Sequence, residues 1–190
     1  MNNKAGLYIH IPFCKSKCPY CDFYSVKYDR ALSKKYADEL IKTMDGYSGE
    51  FDTVYFGGGT PSILESDLIG KILSSAKEHF DIDKNSEITI ECNPSKDLEK
   101  DFYDYSKYGI NRVSIGMQSA RDEERFALGR SAGQTEVAKS VNDAKKAGIN
   151  NISLDVMLGT PKQTLSSLDE TFEFIDKMNV THISAYMLKI

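Results

Sequence analysis

Tyr8-Ile9-His10-Ile11-Pro12-Phe13-Cys14-Lys15-Ser16-Lys17-Cys18-Pro19-Tyr20-Cys21-Asp22-Phe23 begins in a short apolar run and ends in three cysteines spaced C-x3-C-x2-C. The run from Leu7 to Ile11 reads as a β-strand, and along it Tyr8 and His10 project to one face just before the chain enters the cysteine loop. Three thiolates on one short loop can turn inward on a single centre. A cubane [4Fe-4S] cluster takes one thiolate for each iron the protein holds, so Cys14, Cys18 and Cys21 can hold three irons and leave the fourth open to an exogenous amine and carboxylate.

Zinc is the rival centre. It also takes cysteine clusters, with Cys92 or His10 as a fourth ligand, although zinc sites more often pair two C-x2-C halves. Four cysteines in 190 residues do not form a disulfide scaffold.

A 190-residue chain with 41% hydrophobic side chains can bury an ordinary core and is most simply one domain, residues 1–190. The net charge is −4, with Lys and Arg interspersed among Asp and Glu, which leaves no footprint for nucleic acid or an anionic membrane. No apolar run approaches the roughly 20 residues of a transmembrane segment, and Met1-Asn2-Asn3-Lys4 lacks the layout of a signal peptide. A cytoplasmic location is expected.

Working outward from the first strand, five further β-branched or aromatic runs recur: Thr53 to Phe56, Ile88 to Glu91, Arg112 to Ile115, Ile152 to Met157 and His182 to Met187. Each of the first five runs precedes a helical stripe. These are Leu32, Tyr36, Leu40 and Met44; Leu68, Ile72, Ala76 and Phe80; Leu98, Phe102 and Tyr105; Val137, Val141 and Ala144; Leu165, Leu168, Phe172 and Ile175. Gly109 and Gly148 fall where C-terminal caps belong, and Thr135 and Thr164 where N-caps do. Strand and helix in alternation predict an α/β fold with parallel strands and right-handed crossovers, either a doubly wound sheet or a closing barrel. Because the unusual residues fall at the C-terminal ends of five or six successive strands, the barrel is favoured.

Gly57-Gly58-Gly59-Thr60-Pro61-Ser62 follows the second strand; its bare backbone permits close approach of a ligand, and it lacks the Lys of a P-loop. Glu91 ends the third strand, where a carboxylate can accept from a ribose or an ammonium group or cap the next helix. Gln118 follows the fourth with an amide that donates and accepts. Arg130 has the planar fork that holds a carboxylate. Asp155 interrupts an apolar strand and needs a partner or solvent there. Tyr20, inside the cysteine loop, can shield a cluster from water. His79 and His182 read as structural, and Cys92 as a small strand residue.

Taken together, Tyr8-Ile-His-Ile-Pro-Phe-Cys14, Cys18-Pro-Tyr-Cys-Asp-Phe23, Gly57-Gly-Gly-Thr-Pro-Ser62, Glu91-Cys-Asn-Pro94, Arg112-Val-Ser-Ile-Gly-Met-Gln118 and Ile183-Ser-Ala-Tyr-Met-Leu188 closely resemble the HemN/HemW family of radical SAM proteins. The resemblance implies a partial (β/α)6 TIM-like barrel that stops after its sixth strand. It implies a [4Fe-4S] cluster on Cys14, Cys18 and Cys21, and S-adenosyl-L-methionine against Tyr8, Tyr20, Gly58, Gly59, Thr60, Glu91, Gln118, Arg130 and Asp155. Within the family the oxygen-independent coproporphyrinogen III oxidases look like C-x3-C-x2-C-x-C. Phe23 stands at the fourth cysteine here, which resembles the heme-chaperone branch. That branch implies heme and a heme-acceptor protein as partners, and the family implies a reductant such as flavodoxin or ferredoxin. Chaperone relatives usually show Leu-Gly-Arg-x-His where this chain has Leu128-Gly129-Arg130-Ser131-Ala132; the resemblance also implies a C-terminal domain, which is expected to be absent from residues 1–190.

Overall fold

The computed structural model describes residues 5–189. These form, in order, β1 (Ala5–Ile11), β2 (Phe13–Cys14), β3 (Val26–Lys27), α1 (Arg30–Met44), β4 (Glu50–Gly58), a 3-10 turn (Pro61–Ile63), α2 (Ser66–His79) and β5 (Asp81–Cys92). The chain continues through α3 (Glu99–Tyr108), β6 (Arg112–Gln118), α4 (Asp122–Ala127), α5 (Gln134–Lys146), β7 (Asn151–Leu158), α6 (Leu165–Met178) and β8 (His182–Met187).

Strands β1, β4, β5, β6, β7 and β8 make one parallel sheet in that spatial order, so each new strand pairs with its predecessor. A doubly wound sheet reverses its order at a switch point; this one never does. Right-handed crossovers then place every helix on the same side, and α1 packs on α2, α2 on α3 and α3 on α5. The sheet curls into a half-barrel, with β1 and β8 at its free edges.

Period-two alternation divides each strand between two environments. Ile9 and Ile11, Val54 and Phe56, Ile88 and Ile90, Val113 and Ile115, and Ile152, Leu154 and Val156 are buried beneath the helices. The intervening residues, Tyr8 and His10, Tyr55 and Gly57, Thr89 and Glu91, Ser114 and Gly116, Ser153 and Asp155, and Ser184 and Tyr186, face the concave side. Closed barrels fill that interior with branched apolar residues. A concave face built from hydroxyls, carboxylates and glycine is instead suited to solvent or a ligand.

All six expected strands and five expected helices form, with longer boundaries, and β8 matches its predicted span. Four details depart from the sequence expectation. α4 arises in Asp122-Glu-Glu-Arg-Phe-Ala127, which has no apolar stripe, because Arg125 is itself buried. α5 begins at Gln134 rather than after a Thr135 cap: the Glu136 carboxylate reaches back to the Gly133 N–H at 2.9 Å. Thr164 does cap α6, accepting from the Ser167 N–H at 3.1 Å while the Ser167 hydroxyl accepts from the Thr164 N–H. Leu32, Leu165 and Phe172 are exposed rather than covered, although each lies on the apolar stripe of its helix. The short pairing of β2 with β3, invisible to periodicity, closes the base of the cysteine loop.

Phe56 is fully buried on β4, in the core beneath the helices. Phe56→Ala is expected to cost about 3–5 kcal/mol. Urea denaturation would show it as a lowered midpoint with an unchanged slope.

Candidate functional site

The parallel ladder between β1 and β4 runs past both strand ends. The Gly59 N–H donates to the Ile11 carbonyl at 2.9 Å and the Thr60 N–H to the Phe13 carbonyl at 2.8 Å, so the glycine turn is stitched to the root of the cysteine loop. A Cβ on Gly59 would lie 2.7 Å from the Phe13 carbonyl oxygen and 2.9 Å from its nitrogen, both rigid backbone atoms. Gly58 holds φ at +120°, and a Cβ there would meet the His10 ring at 2.7 Å. On the far side of the loop, the Val26 N–H donates to the Pro12 carbonyl and the Tyr28 N–H to the Cys14 carbonyl, pinning where the loop leaves and returns. Within it the Cys21 N–H donates to the Cys18 carbonyl at 3.1 Å.

From that loop a chain of polar contacts crosses the rim. Cys14 Sγ lies 3.5 Å from Thr60 Oγ1, which accepts from Asn93 Nδ2 at 3.0 Å. Asn93 Oδ1 in turn accepts from Arg130 Nη1, and Arg130 Nε donates to the Tyr20 hydroxyl at 3.2 Å. Burial opposes the charge on Arg130, yet Tyr20, Cys18 and Cys21 beside it hold its pKa above the ordinary value. Gly116 completes the recess: a Cβ there would sit 3.0 Å from Gln118 Nε2 and 3.4 Å from Asn93 Oδ1. Gln118 is buried with φ at +72°, after an irregularity in the β6–β7 register that re-aims the strand end.

Two carboxylates occupy the concave face below. Glu91 accepts from the Tyr55 hydroxyl at 2.8 Å and from the Gly58 N–H at 3.2 Å. Burial raises its pKa and the nearby Asp155 adds to the rise, against the lowering effect of those two bonds. Asp155 accepts from the Ser114 hydroxyl at 2.8 Å, and burial also raises its pKa, moderated by Ser114, Ser184, Arg112 and Arg130. Tyr8 stacks on Tyr55 with ring centroids 6.0 Å apart, and its hydroxyl lies 3.3 Å from His10 Nδ1.

The structure therefore brings Cys14 and Tyr20, on the loop that carries Cys18 and Cys21, into one contact chain with Thr60 and Arg130. It places Tyr8, Gly58, Glu91 and Asp155 in the adjoining lumen, and Gln118 at the recess between. Asn93, Tyr55 and Ser114 were missed by sequence reasoning. Tyr55 shares a strand face with Gly57, and Asn93 precedes a proline at a strand end; either signal could have found them. Cys92 faces away from all of this. It alternates with Glu91, is buried against the helix layer, and burial drives its thiol pKa far up. It is thus out of reach as a fourth zinc ligand. His10 has both nitrogens engaged, Nε2 lying 3.1 Å from the Tyr24 carbonyl. His79 bridges the Ser75 carbonyl and Asp45, and His182 contacts Thr181.

All four cysteines are unpaired, and Cys14, Cys18 and Cys21 are partly exposed. Among the described residues no three His, Cys, Asp or Glu side chains gather round a single-ion position. A cubane does not require that, since each thiolate meets a different iron. Three thiols on one pinned loop, opening on a side-chain-free turn, fit such a cluster.

A family model described as the radical SAM superfamily matches residues 8–175. The chain belongs to the radical SAM superfamily. It is 39% identical over 191 residues to a protein named heme chaperone HemW from Buchnera aphidicola subsp. Schizaphis graminum, covering 97% of this chain and 50% of that one. It is 36% identical to heme chaperone HemW of Haemophilus influenzae, covering 97% and 51%. The radical SAM enzyme coproporphyrinogen III oxidase, HemN, from Escherichia coli superposes with a TM-score of 0.88 at 25% identity, over 98% of this chain and 44% of that one. The chain thus spans about half the length of the curated relatives it matches. Among its described residues no helix is long and apolar enough to cross a membrane.

Gly59→Ala should force the turn and the cysteine loop apart at a cost of about 1–3 kcal/mol. The expected readout is faster maleimide labelling of Cys14, Cys18 and Cys21 and faster amide exchange at Thr60, with circular dichroism of the sheet unchanged.

Proposed function

We propose that this chain is the cluster- and S-adenosylmethionine-binding part of a heme chaperone of the HemW type. The observation that carries the reading is the cysteine loop itself. Cys14, Cys18 and Cys21 are pinned to the Gly57–Thr60 turn, and Phe23 stands where the oxidases of the family have a fourth cysteine, exposed at 65% and joined to nothing that would hold a metal.

In this reading Cys14, Cys18 and Cys21 hold the [4Fe-4S] cluster. Arg130, kept charged inside the rim, holds the cofactor carboxylate. Glu91 and Asp155 accept from its amine and ribose, and Gly58, Gly59 and Thr60 let backbone lie against its methionine end. Gln118 donates and accepts at the recess, Tyr8 walls the lumen, and Tyr20 shields the cluster from water. When bound, cluster and S-adenosylmethionine together supply one-electron radical chemistry. The chain's part is to orient the cofactor and keep water from the loop. Heme, a heme-acceptor protein and a reductant such as flavodoxin or ferredoxin are the partners of this reading.

A second reading, oxidation of coproporphyrinogen III, is favoured by the close superposition on the E. coli oxidase. The two are separated by measuring heme binding and coproporphyrinogen consumption under reducing conditions. Heme affinity without turnover supports the chaperone, and turnover rejects it.

Anaerobic reconstitution with iron and sulfide should give a brown protein whose reduced spin signal shifts on adding S-adenosylmethionine. Single Ser replacements of Cys14, Cys18 or Cys21 should abolish the colour, and a colourless product retaining zinc would overturn the assignment. Arg130→Gln, with the cluster intact, should weaken S-adenosylmethionine binding by about 1.5–3 kcal/mol, roughly ten- to a hundredfold in Kd.

A further inference from the structure

Residues 14–35 carry Lys15, Lys17, Lys27, Arg30, Lys34 and Lys35 against Asp22 and Asp29, in a chain whose 28 acidic residues outnumber its 24 Lys and Arg. Of these cations, Lys15 and Lys17 lie on the cysteine loop, Lys27 on β3 at its base, and Arg30, Lys34 and Lys35 on α1, where Arg30 pairs with Glu65. The ammonium groups of Lys15, Lys17 and Lys27 have no carboxylate partner among the described residues, as is also true of Lys71 on α2, and they differ from it in lying together beside the cysteines.

The three lysines surround one half-open pocket of about 340 Å³, together with Ser16, Ser25 and Cys14. Lys27 is brought there by its backbone pairing with Cys14 across β2 and β3. Cys14 therefore belongs to two surfaces: it contacts Thr60 toward the lumen and lines the lysine pocket toward solvent. Phe23 and Tyr24, 65% and 70% exposed on the same loop, add apolar anchors of the kind that interface centres favour.

We propose that this lysine-bearing outer face of the cysteine loop is the docking surface for an acidic, low-potential one-electron carrier protein. The inference rests on the cluster assignment above. The step it serves balances simply: the carrier loses one electron, the cluster held by the loop gains it, and no bond or proton moves. Unpaired surface cations steer an acidic partner and raise its association rate by tenfold or more, in a manner that salt abolishes. A protein surface fits better than a small anion, because the pocket the three lysines line is half open to solvent and the loop that bears two of them also exposes Phe23 and Tyr24.

The test is the triple charge swap K15E/K17E/K27E, with K71E/K84E/K107E, off the cysteine loop, as a control of equal charge change. The probe is flavodoxin. Two quantities are measured on cluster-loaded protein at low and high salt: the affinity for oxidised flavodoxin, and the rate of cluster reduction by reduced flavodoxin. Reduced methyl viologen, a small cation, serves as the comparison reductant. The loop variant is expected to bind flavodoxin about tenfold more weakly at low salt and to be reduced by it about tenfold more slowly. Both deficits should vanish at high salt, with the control unaffected. Iron content, the S-adenosylmethionine-induced spin shift and the viologen rate should match the parent protein, or the viologen rate should rise.

Equal flavodoxin affinity and rate in parent and variant would overturn the proposal. So would a deficit that persists at high salt or extends to viologen, which marks an altered cluster, or a loss of heme affinity with unchanged flavodoxin kinetics, which marks a carboxylate-binding subsite. Failure of the parent protein to take up iron would instead strike the cluster reading itself, so the two failures are distinguishable.

Discussion

Two backbone hydrogen bonds, from Gly59 to Ile11 and from Thr60 to Phe13, set the arrangement of everything at the rim. They extend a strand ladder beyond the point where both strands have ended, so the cysteine loop inherits the rigidity of the sheet instead of the mobility usual for loops. The constraint is steric as much as polar. Only a residue without a Cβ lets the two backbones come this close, which is why the turn is glycine where β1 and the loop meet it. With the root of the loop fixed, Thr60 falls beside Cys14, and Asn93 and Arg130 fall into line behind it.

Arg130 reaches that position by a different device. It follows a single short helix, α4, that would not hold by propensity alone. Arg125, 1% exposed, anchors it from below: Nη1 donates to the Ser119 carbonyl at 2.6 Å, Nη2 pairs with Asp122, and its own carbonyl accepts from the Arg130 N–H at 2.8 Å. Ser119 also donates to Glu124, and the Ala120 N–H donates to Thr171 on α6. Glu124 Oε1 is left buried without a hydrogen-bond partner among the described residues, while the other contacts join α4 to the end of β6 and to α6, so the cationic end of the site depends on packing between these elements.

This division explains what the sequence made legible. Five strands and five helices announce themselves because each buries apolar residues at the right period, whereas β8, largely exposed, is marked by its β-branched and aromatic residues; the strand-end positions of Cys14, Gly57–Thr60, Glu91, Gln118 and Asp155 follow from element order alone. Periodicity carries no information on neighbours, so only the clustering of unusual residues at strand ends favours the barrel, and the observed strand order bears it out. α4 stayed hidden because its buried face is an arginine, and hydrophobic periodicity is blind to burial achieved by ion pairing and hydrogen bonds. Asn93 and Tyr55 act through contacts made across strands, Asn93 to Arg130 and Tyr55 to Glu91, and such contacts exist only once the register is fixed. Leu32, Leu165 and Phe172 mislead in the opposite sense: a stripe marks the face a helix can bury, and these three positions on it remain exposed.

The electrostatics of the lumen bear on what it is built to hold. Burial raises the pKa of Glu91 and of Asp155, and Asp155 further burdens Glu91. Carboxyl groups shifted in this direction favour the fold most when protonated, below their ordinary values, and that contribution is lost as pH rises through the raised values. Ionising either carboxyl in the ligand-free lumen thus carries a cost, with Arg112 and Arg130 only moderating that of Asp155. A ligand that brings positive charge between them removes the cost. One that also carries a carboxylate meets Arg130, whose charge the cysteine loop preserves. Acceptors below and a guanidinium above match the ammonium and carboxylate that the proposed S-adenosylmethionine reading requires, and burial opposes the charge on each of these groups.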